Sequence, residues 1–326
     1  MQETQSINEM KSIDKIEATL NRSEREKVIE LNEKNGVVYL TYPSLTACDF
    51  ITHAFSTRIG GVSQGMFSTM NLSFTRGDEE QAVRENFRRI AAAIGVSVED
   101  MVFSDQTHTT NVRVITEADR GNGITRPKDF FEVDGMITNV PGLVLTTFYA
   151  DCVPLYFVDP VHHAIGLSHS GWRGTVGKIG QKTIELMQQT YNTDPADIIA
   201  AIGPSICKSC YEISEDVARE FQSAFPEEAC TQFLELAPKA NSQAIEPDLK
   251  ANTQAIELDP ILPESSPKYH LDLWKANQLI LAEAGVPESN ITLPDLCTNH
   301  NPDLLFSHRY TQGHRGNLAA FLSITK

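Results

Sequence analysis

The stretch YADCVPLYFVDPVHHAIGLSHSGWRG, residues 149–174, sets Asp151 and Cys152 before one apolar run and places Ser168, His169, Trp172 and Arg173 after a second. A packed core has little use for an acid, a thiol and an imidazole. Their place at the ends of apolar runs therefore points to chemistry. His108 stands similarly at the end of MVFSDQTH. Two imidazoles and a thiolate suit zinc, whose catalytic sites take three protein ligands and leave a fourth position open. The separations, 44 residues from His108 to Cys152 and 17 from Cys152 to His169, match no short-range zinc signature. The same residues can be read as two surface histidines and a small buried thiol, or as a cysteine nucleophile with a histidine base.

Two arginines lie in glycine-rich stretches that would suit an anion. SGWRGTVGKIG carries Arg173 into a helical pattern, where free N–H groups at a helix start can cradle a phosphate. FSTRIGGVS puts Arg58 beside a Gly-Gly turn. Either can equally be a solvated arginine in a tight turn. GPSICKSCYE holds a Cys-x-x-Cys, Cys207 to Cys210. A structural zinc site wants a second cysteine pair, and the chain offers none, so these read as loop cysteines.

The elements that must position these residues alternate. DEEQAVRENFRRIAAAIGV places Val83, Phe87, Ile90, Ala91 and Ile94 on one helical face, with Asp78 able to cap its start and Gly95 suited to its end. TVGKIGQKTIELMQQTY repeats the rhythm through Val176, Ile179, Thr183, Met187 and Tyr191. SEDVAREFQSAF begins at Ser214 and stops at Pro226, and DLWKANQLILAEAG runs from Asp272 to Gly285. Between them MVFSDQTH, NVRVIT, GLVLTTFYA, VPLYFVD, HAIGLSH and DIIAAIG are short and rich in β-branched or aromatic residues. The pattern predicts a mixed α/β domain.

Residues 1–35 are polar, with a weak helical rhythm at Ile13, Ile16 and Leu20, and read as a mobile extension or a loosely docked helix. ANSQAIEPDLKANTQAIELDP repeats itself at eleven residues; two copies are too few for a solenoid, so 239–267 reads as an exposed insertion. The catalytic domain is expected over 36–326. The whole chain of 326 residues carries 27 basic and 43 acidic residues, a net charge of −16. That opposes a broad grip on nucleic acid or an anionic membrane, so a small anion would need a local basic pocket. No signal-like segment and no run of 18 apolar residues occurs, which points to a cytoplasmic protein with six reduced cysteines.

SDQTH, DGMITNVPGLVLTTFYADCVPLYFVDP, GLSHSGWRG, IGPSICKSCYEIS and CTNHNPDLLFSHRYTQGHRGNLAAF occur in one order. That order resembles the YfiH-like family, also called laccase-domain, polyphenol oxidase or peptidoglycan-editing-factor proteins. FSTRIGGVSQGMFSTMNLSF is similar to its N-terminal block. The resemblance covers about 38–326 apart from the insertion. It implies a four-layer α/β/β/α sandwich with mixed sheets, in a monomer or small homo-oligomer. It also implies one Zn²⁺ on His108, Cys152 and His169, with Cu²⁺ a possible substitute. The implied activity is phosphorolysis of purine nucleosides (adenosine, inosine, guanosine, methylthioadenosine) to base and ribose 1-phosphate, with adenosine deamination beside it. Asp151 would shuttle a proton, and Arg58, Asn71, Gln106, Arg173 and Arg309 would bind nucleoside or phosphate. The family's R-R-D-G-x-T-G-R appears here as RYTQGHRGN: Arg309 is kept, and Asn317 falls where the last arginine belongs.

Two other functions share these residues. A peptidoglycan-precursor hydrolase would use Cys152 as nucleophile or hold a metal. A copper polyphenol oxidase needs a histidine-rich trinuclear cluster, and the nine histidines here include no His-x-His. The zinc deaminase signature H-x-E is also missing.

Overall fold

The computed structural model describes residues 13–23, 27–238 and 267–326. Strands with seven buried residues in a row, such as Val153–Asp159, Ala164–Ser170 and Leu318–Ile324, have both faces covered. Alternation then decides which layer each side chain enters. Leu318, Ala320, Leu322 and Ile324 enter one apolar cluster, while Ala319 and Phe321 enter another.

Two six-stranded sheets result. The first runs in spatial order Glu30–Lys34, Val37–Thr41, Ile51–Ser56, Leu318–Ile324, Val144–Tyr149, Met101–Phe103; its last pair is parallel and the rest antiparallel. The second runs Ile291–Thr292, Ile199–Ile202, Val153–Asp159, Ala164–Ser170, Gly135–Thr138, Val112–Val114, with a parallel pair at each edge. A small third sheet joins Glu212–Ser214, Lys268–Leu271 and Leu234–Leu236.

Three apolar clusters correspond to three interfaces. Leu40, Phe55, Leu145 and Leu322 of the first sheet meet Tyr156, Val158, Ile165 and Leu167 of the second. The tyrosines cross this layer with their hydroxyls satisfied: Tyr42 donates to the Ile202 carbonyl at 3.1 Å and Tyr156 to that of Ala54 at 3.0 Å. The outer face of the first sheet packs on helix Glu80–Ile94 through Val83, Phe87 and Ile90. The outer face of the second packs on helices Ile179–Tyr191, Glu215–Ala224, Glu227–Phe233 and Leu273–Glu283. The protein is a mixed α/β single domain layered α/β/β/α, as expected.

The helix ends follow local chemistry in part. Asp272 caps Leu273–Glu283 by accepting from the Lys275 N–H, and Gly95 ends Glu80–Ile94 in the left-handed region. Asp78 is not the expected cap; its carboxylate instead accepts from Ser63 and Asn71. The helix expected from Thr175 breaks in two, Trp172–Val176 and Ile179–Tyr191, because Gly177 ends the first and Lys178 adopts φ +55°. Between Ile13 and Ser23 the N-terminal segment lies against the domain. Ile16 is buried, Arg22 pairs with Asp295 and Glu17, and Asn21 exchanges hydrogen bonds with Asn301. The sheet begins at Glu30, six residues before the expected boundary. The repeat insertion lies outside the described residues over 239–266.

Candidate metal centre

Ile165, Leu167 and His169 share one face of their strand, so His169 ends the inter-sheet layer at its rim. Its ring is 3 % exposed. Nδ1–H donates to Asp134 Oδ1 at 2.8 Å, which turns Nε2 toward the opening. Asp134 does more than hold that ring. Its carboxylate accepts the N–H groups of Thr107, His108 and Thr109 at 3.0–3.1 Å and the Thr109 hydroxyl at 3.0 Å. One carboxylate thus orients His169 and the turn that carries His108, whose φ is +64°. Such outer carboxylates fix the tautomer and direction of metal-binding imidazoles. Sequence reasoning missed Asp134, although it opens the DGMITNV stretch.

Cys152 sits between strands Val144–Tyr149 and Val153–Asp159, after Asp151 at φ +83°. Its Sγ lies 4.0 Å from His108 Nε2, and ligand atoms of His108, Cys152 and His169 lie within 4.8 Å of one another. Gly171 permits this approach: a Cβ there would stand 2.9 Å from His108 Cδ2 and 3.1 Å from Cys152 Sγ. Burial pushes the Cys152 thiol up, but His169 and His108 pull it down further, to about 6. Burial likewise opposes charge on His169, yet the sulfur and Asp134 raise it to about 9. Asp134, which burial would raise, is held below its ordinary value by His169 and the two threonine amides. A thiolate facing two imidazoles, with a carboxylate behind, fits a divalent ion.

The three open into a cavity of about 610 Å³. Its walls combine Phe74, Phe103 and Phe148 with the cations Arg76, Arg84 and Arg315. Arg84 is engaged by Glu80 and the Ile124 carbonyl. Arg315, 8 % exposed, donates from Nη1 to the Gly316 carbonyl and the Asn317 side-chain oxygen, but its Nε has no hydrogen-bond partner, and burial and then the nearby Arg76 lower its pKa to about 10. Arg76 and Arg315, both on this cavity, offer an anion two guanidinium groups beside the Glu80 and Asp105 carboxylates of the same lining.

The sequence-predicted binding residues divide. Gln106 lines the cavity, though its amide is committed to both backbone groups of Phe148 at 2.6 and 2.7 Å. Asn71 is buried behind the wall, where it joins Asp78, Ser73 and the Asn317 N–H. Arg58 does not line the cavity: its guanidinium is spent on the Ser68 and Pro302 carbonyls, over Phe306. Arg173 lies exposed over Trp172, on a one-turn helix too short for the expected phosphate cradle. Arg309 reaches the Glu212 carbonyl at 2.8 Å, outside the cavity. Asp151, expected to shuttle a proton, has Oδ1 on the Thr298 hydroxyl and Oδ2 on the Arg309 N–H, both at 2.6 Å. These two bonds tie the Asp151 carboxylate to the loops that carry Thr298 and Arg309. Asn317 does line the cavity, and the guanidinium there belongs to Arg315, two residues earlier.

A sequence profile described as multi-copper polyphenol oxidoreductase laccase matches residues 52–325. The chain belongs to that laccase-domain, or YfiH, family. Among relatives of this family, the chain is 34 % identical over 271 residues to purine nucleoside phosphorylase YlmD of Bacillus subtilis, covering 83 % of this chain and 87 % of that one. It is 32 % identical to a purine nucleoside phosphorylase of Bacteroides thetaiotaomicron, covering 88 % and 96 %. Two solved structures share the fold. A hypothetical protein YfiH of Bacillus licheniformis superposes with TM-score 0.75 at 28 % identity, over 90 % of this chain and 99 % of the other. YlmD of Geobacillus stearothermophilus gives 0.74 at 31 %, over 92 % and 99 %. No described helix is long and apolar enough to cross a membrane.

Proposed function

We propose that this YfiH-family protein is a zinc-dependent purine nucleoside phosphorylase acting on inosine, adenosine, guanosine and methylthioadenosine. The observation that carries the reading is the buried Arg315, with its free Nε and its neighbour Arg76, in the same cavity as His108, Cys152 and His169. Its volume falls within the usual range for small-molecule sites. In phosphorolysis a phosphate oxygen bonds to ribose C1′ as the bond from C1′ to the purine nitrogen breaks. The electron pair leaves with the base, which takes up the proton that the hydrogen phosphate gives up. Arg315 and Arg76 hold the phosphate oxygens, and holding nucleophile and nucleoside in one cavity makes the step effectively unimolecular. Phe74, Phe103 and Phe148 offer ring faces and edges to the purine. Zinc on His108, Cys152 and His169, when bound, supplies a Lewis acid at the cavity floor. The same open trio supports adenosine deamination as a second activity.

Convergence of two imidazoles on one sulfur favours this reading over a cysteine nucleophile with one base. The family's laccase description suits a copper oxidase, but the metal-ligand groups found among the described residues are this trio and a cysteine-rich set, neither of them a histidine-rich trinuclear cluster.

The test is incubation with inosine with and without phosphate. Hypoxanthine and ribose 1-phosphate are expected only with phosphate. Phosphate-independent release would mean hydrolysis, and no release in either case would overturn the proposal. Adenosine in the same assay reports inosine formation separately. Arg315→Met should raise the KM for phosphate tenfold or more, equivalent to about 1.4 kcal/mol, with zinc content unchanged.

A further inference from the structure

Cys207 and Cys210, read from sequence as loop thiols, are not alone in the fold. Cys297 and His300, about ninety residues further on, meet them, and ligand atoms of the four lie within 4.8 Å of one another. Cys210 Sγ is 3.0 Å from His300 Nε2, Cys207 Sγ is 3.8 Å from Nδ1 of the same ring, and the Cys207 N–H donates to Cys297 Sγ at 3.3 Å. The second half of the signature is Cys297-x-x-His300, which a search for a second cysteine pair passes over. None of the four lines the cavity of the first centre.

We propose that Cys207, Cys210, Cys297 and His300 form a second, structural zinc site. Three thiolates and one imidazole in two pairs, each with a two-residue spacer, make up the closed tetrahedral set of structural zinc. Tetrahedral bonds of about 2.3 Å place ligand atoms about 3.8 Å apart, so the observed separations need only small adjustments. The backbone is arranged for this. Cys210 and Tyr211 N–H groups return to the Cys207 carbonyl at 3.1 and 3.0 Å, which folds the first pair into a turn. The second segment lies beside the first through a bridge of Ser205 to Cys297 and the Thr298 N–H on the Ser205 carbonyl. Asn301 ties the same turn to its own Cys297 carbonyl and to Asn21.

The placement says what the ion does. Both joined segments hold Asp151: the Ile206 N–H donates to its carbonyl at 3.0 Å and the Thr298 hydroxyl to its carboxylate. Asp151 precedes Cys152. The second ion thus clips together two loops that fix the backbone leading into the first centre, without a position open for substrate.

Protein purified without chelator should contain two zinc ions per chain by plasma mass spectrometry. Cys210→Ser should leave one, Cys152→Ala should leave one, and the double variant none. In the cobalt-substituted protein, Cys152→Ala should keep the stronger thiolate-to-metal absorption of a three-sulfur site, and Cys210→Ser should lose it. Should Cys210→Ser not fold, His300→Ala and titration of the wild-type thiols with an organomercurial give the same count through zinc release. Wild-type protein holding only one zinc, or a zinc count that Cys210→Ser and His300→Ala leave unchanged, would overturn the proposal. So would a disulfide between any two of Cys207, Cys210 and Cys297 in protein purified without reductant.

Discussion

Asp134 is the residue on which the geometry of the first centre turns. It is fully buried and accepts four hydrogen bonds besides that from His169. Asp134→Asn keeps the shape but loses the charge and adds an amide donor where an acceptor is needed. Zinc affinity should fall by about 10- to 100-fold, measured by competition with a chromophoric chelator. Gly171→Ala tests the approach of the ligands from the other side. Its methyl would displace the His108 ring or the Cys152 sulfur, so zinc content should drop while far-UV circular dichroism stays native. Cys152 and His169 were legible as candidates because they stand at the ends of apolar strands, whereas His108 sits in a turn beyond Met101–Phe103 and was marked by the SDQTH block. Asp134 was not, since one carboxylate in a loop has no periodic signature until its five donors surround it.

Strand parity carries the argument at the next scale. A one-residue shift of Leu318–Ile324 would exchange its inter-sheet and helix-facing sets, so register is tightly specified. Phe321, 1 % exposed, packs against the helix Glu80–Ile94. Phe321→Ala should cost about 3–5 kcal/mol in urea unfolding. Phe131→Ala, at a ring 67 % exposed, should stay within about 0.5 kcal/mol. The same alternation aimed His169 at the sheet rim, which is why a sequence pattern could nominate it. The Arg173 loop misled for a local reason. Gly177 and the left-handed Lys178 split the expected helix, leaving one turn and an exposed guanidinium.

Across the whole molecule, burial of a titratable group couples fold to pH. His53 is 6 % exposed and accepts the Tyr42 N–H at Nε2. Burial lowers its pKa to about 4, from an ordinary 6.5. The unfolded chain therefore binds this proton first as pH falls, and stability from neutral His53 is present above about pH 6.5 and lost toward pH 4. The loss is about 1.4 kcal/mol per pH unit within that window. Between pH 7 and pH 5, His53→Gln should lose about 2 kcal/mol less stability than the wild type in urea titrations. The acidic balance of the chain, 43 against 27, makes the cation-lined cavity an exception on the surface, and only the fold reveals it.

Composition and alternation determined the mixed α/β class, because those features repeat over a few residues; the layered sandwich and the His108, Cys152 and His169 set came from the ordered motifs, as what the resemblance to the YfiH-like family implies. Tertiary structure decided which cations face the cavity and which sulfur meets which imidazole. Arg58 turned inward to carbonyls 10 and 244 residues away, Arg315 was left facing Arg76, and Cys210 found His300 across 90 residues. Such meetings depend on sheet register and loop closure, and neither is written in local spacing.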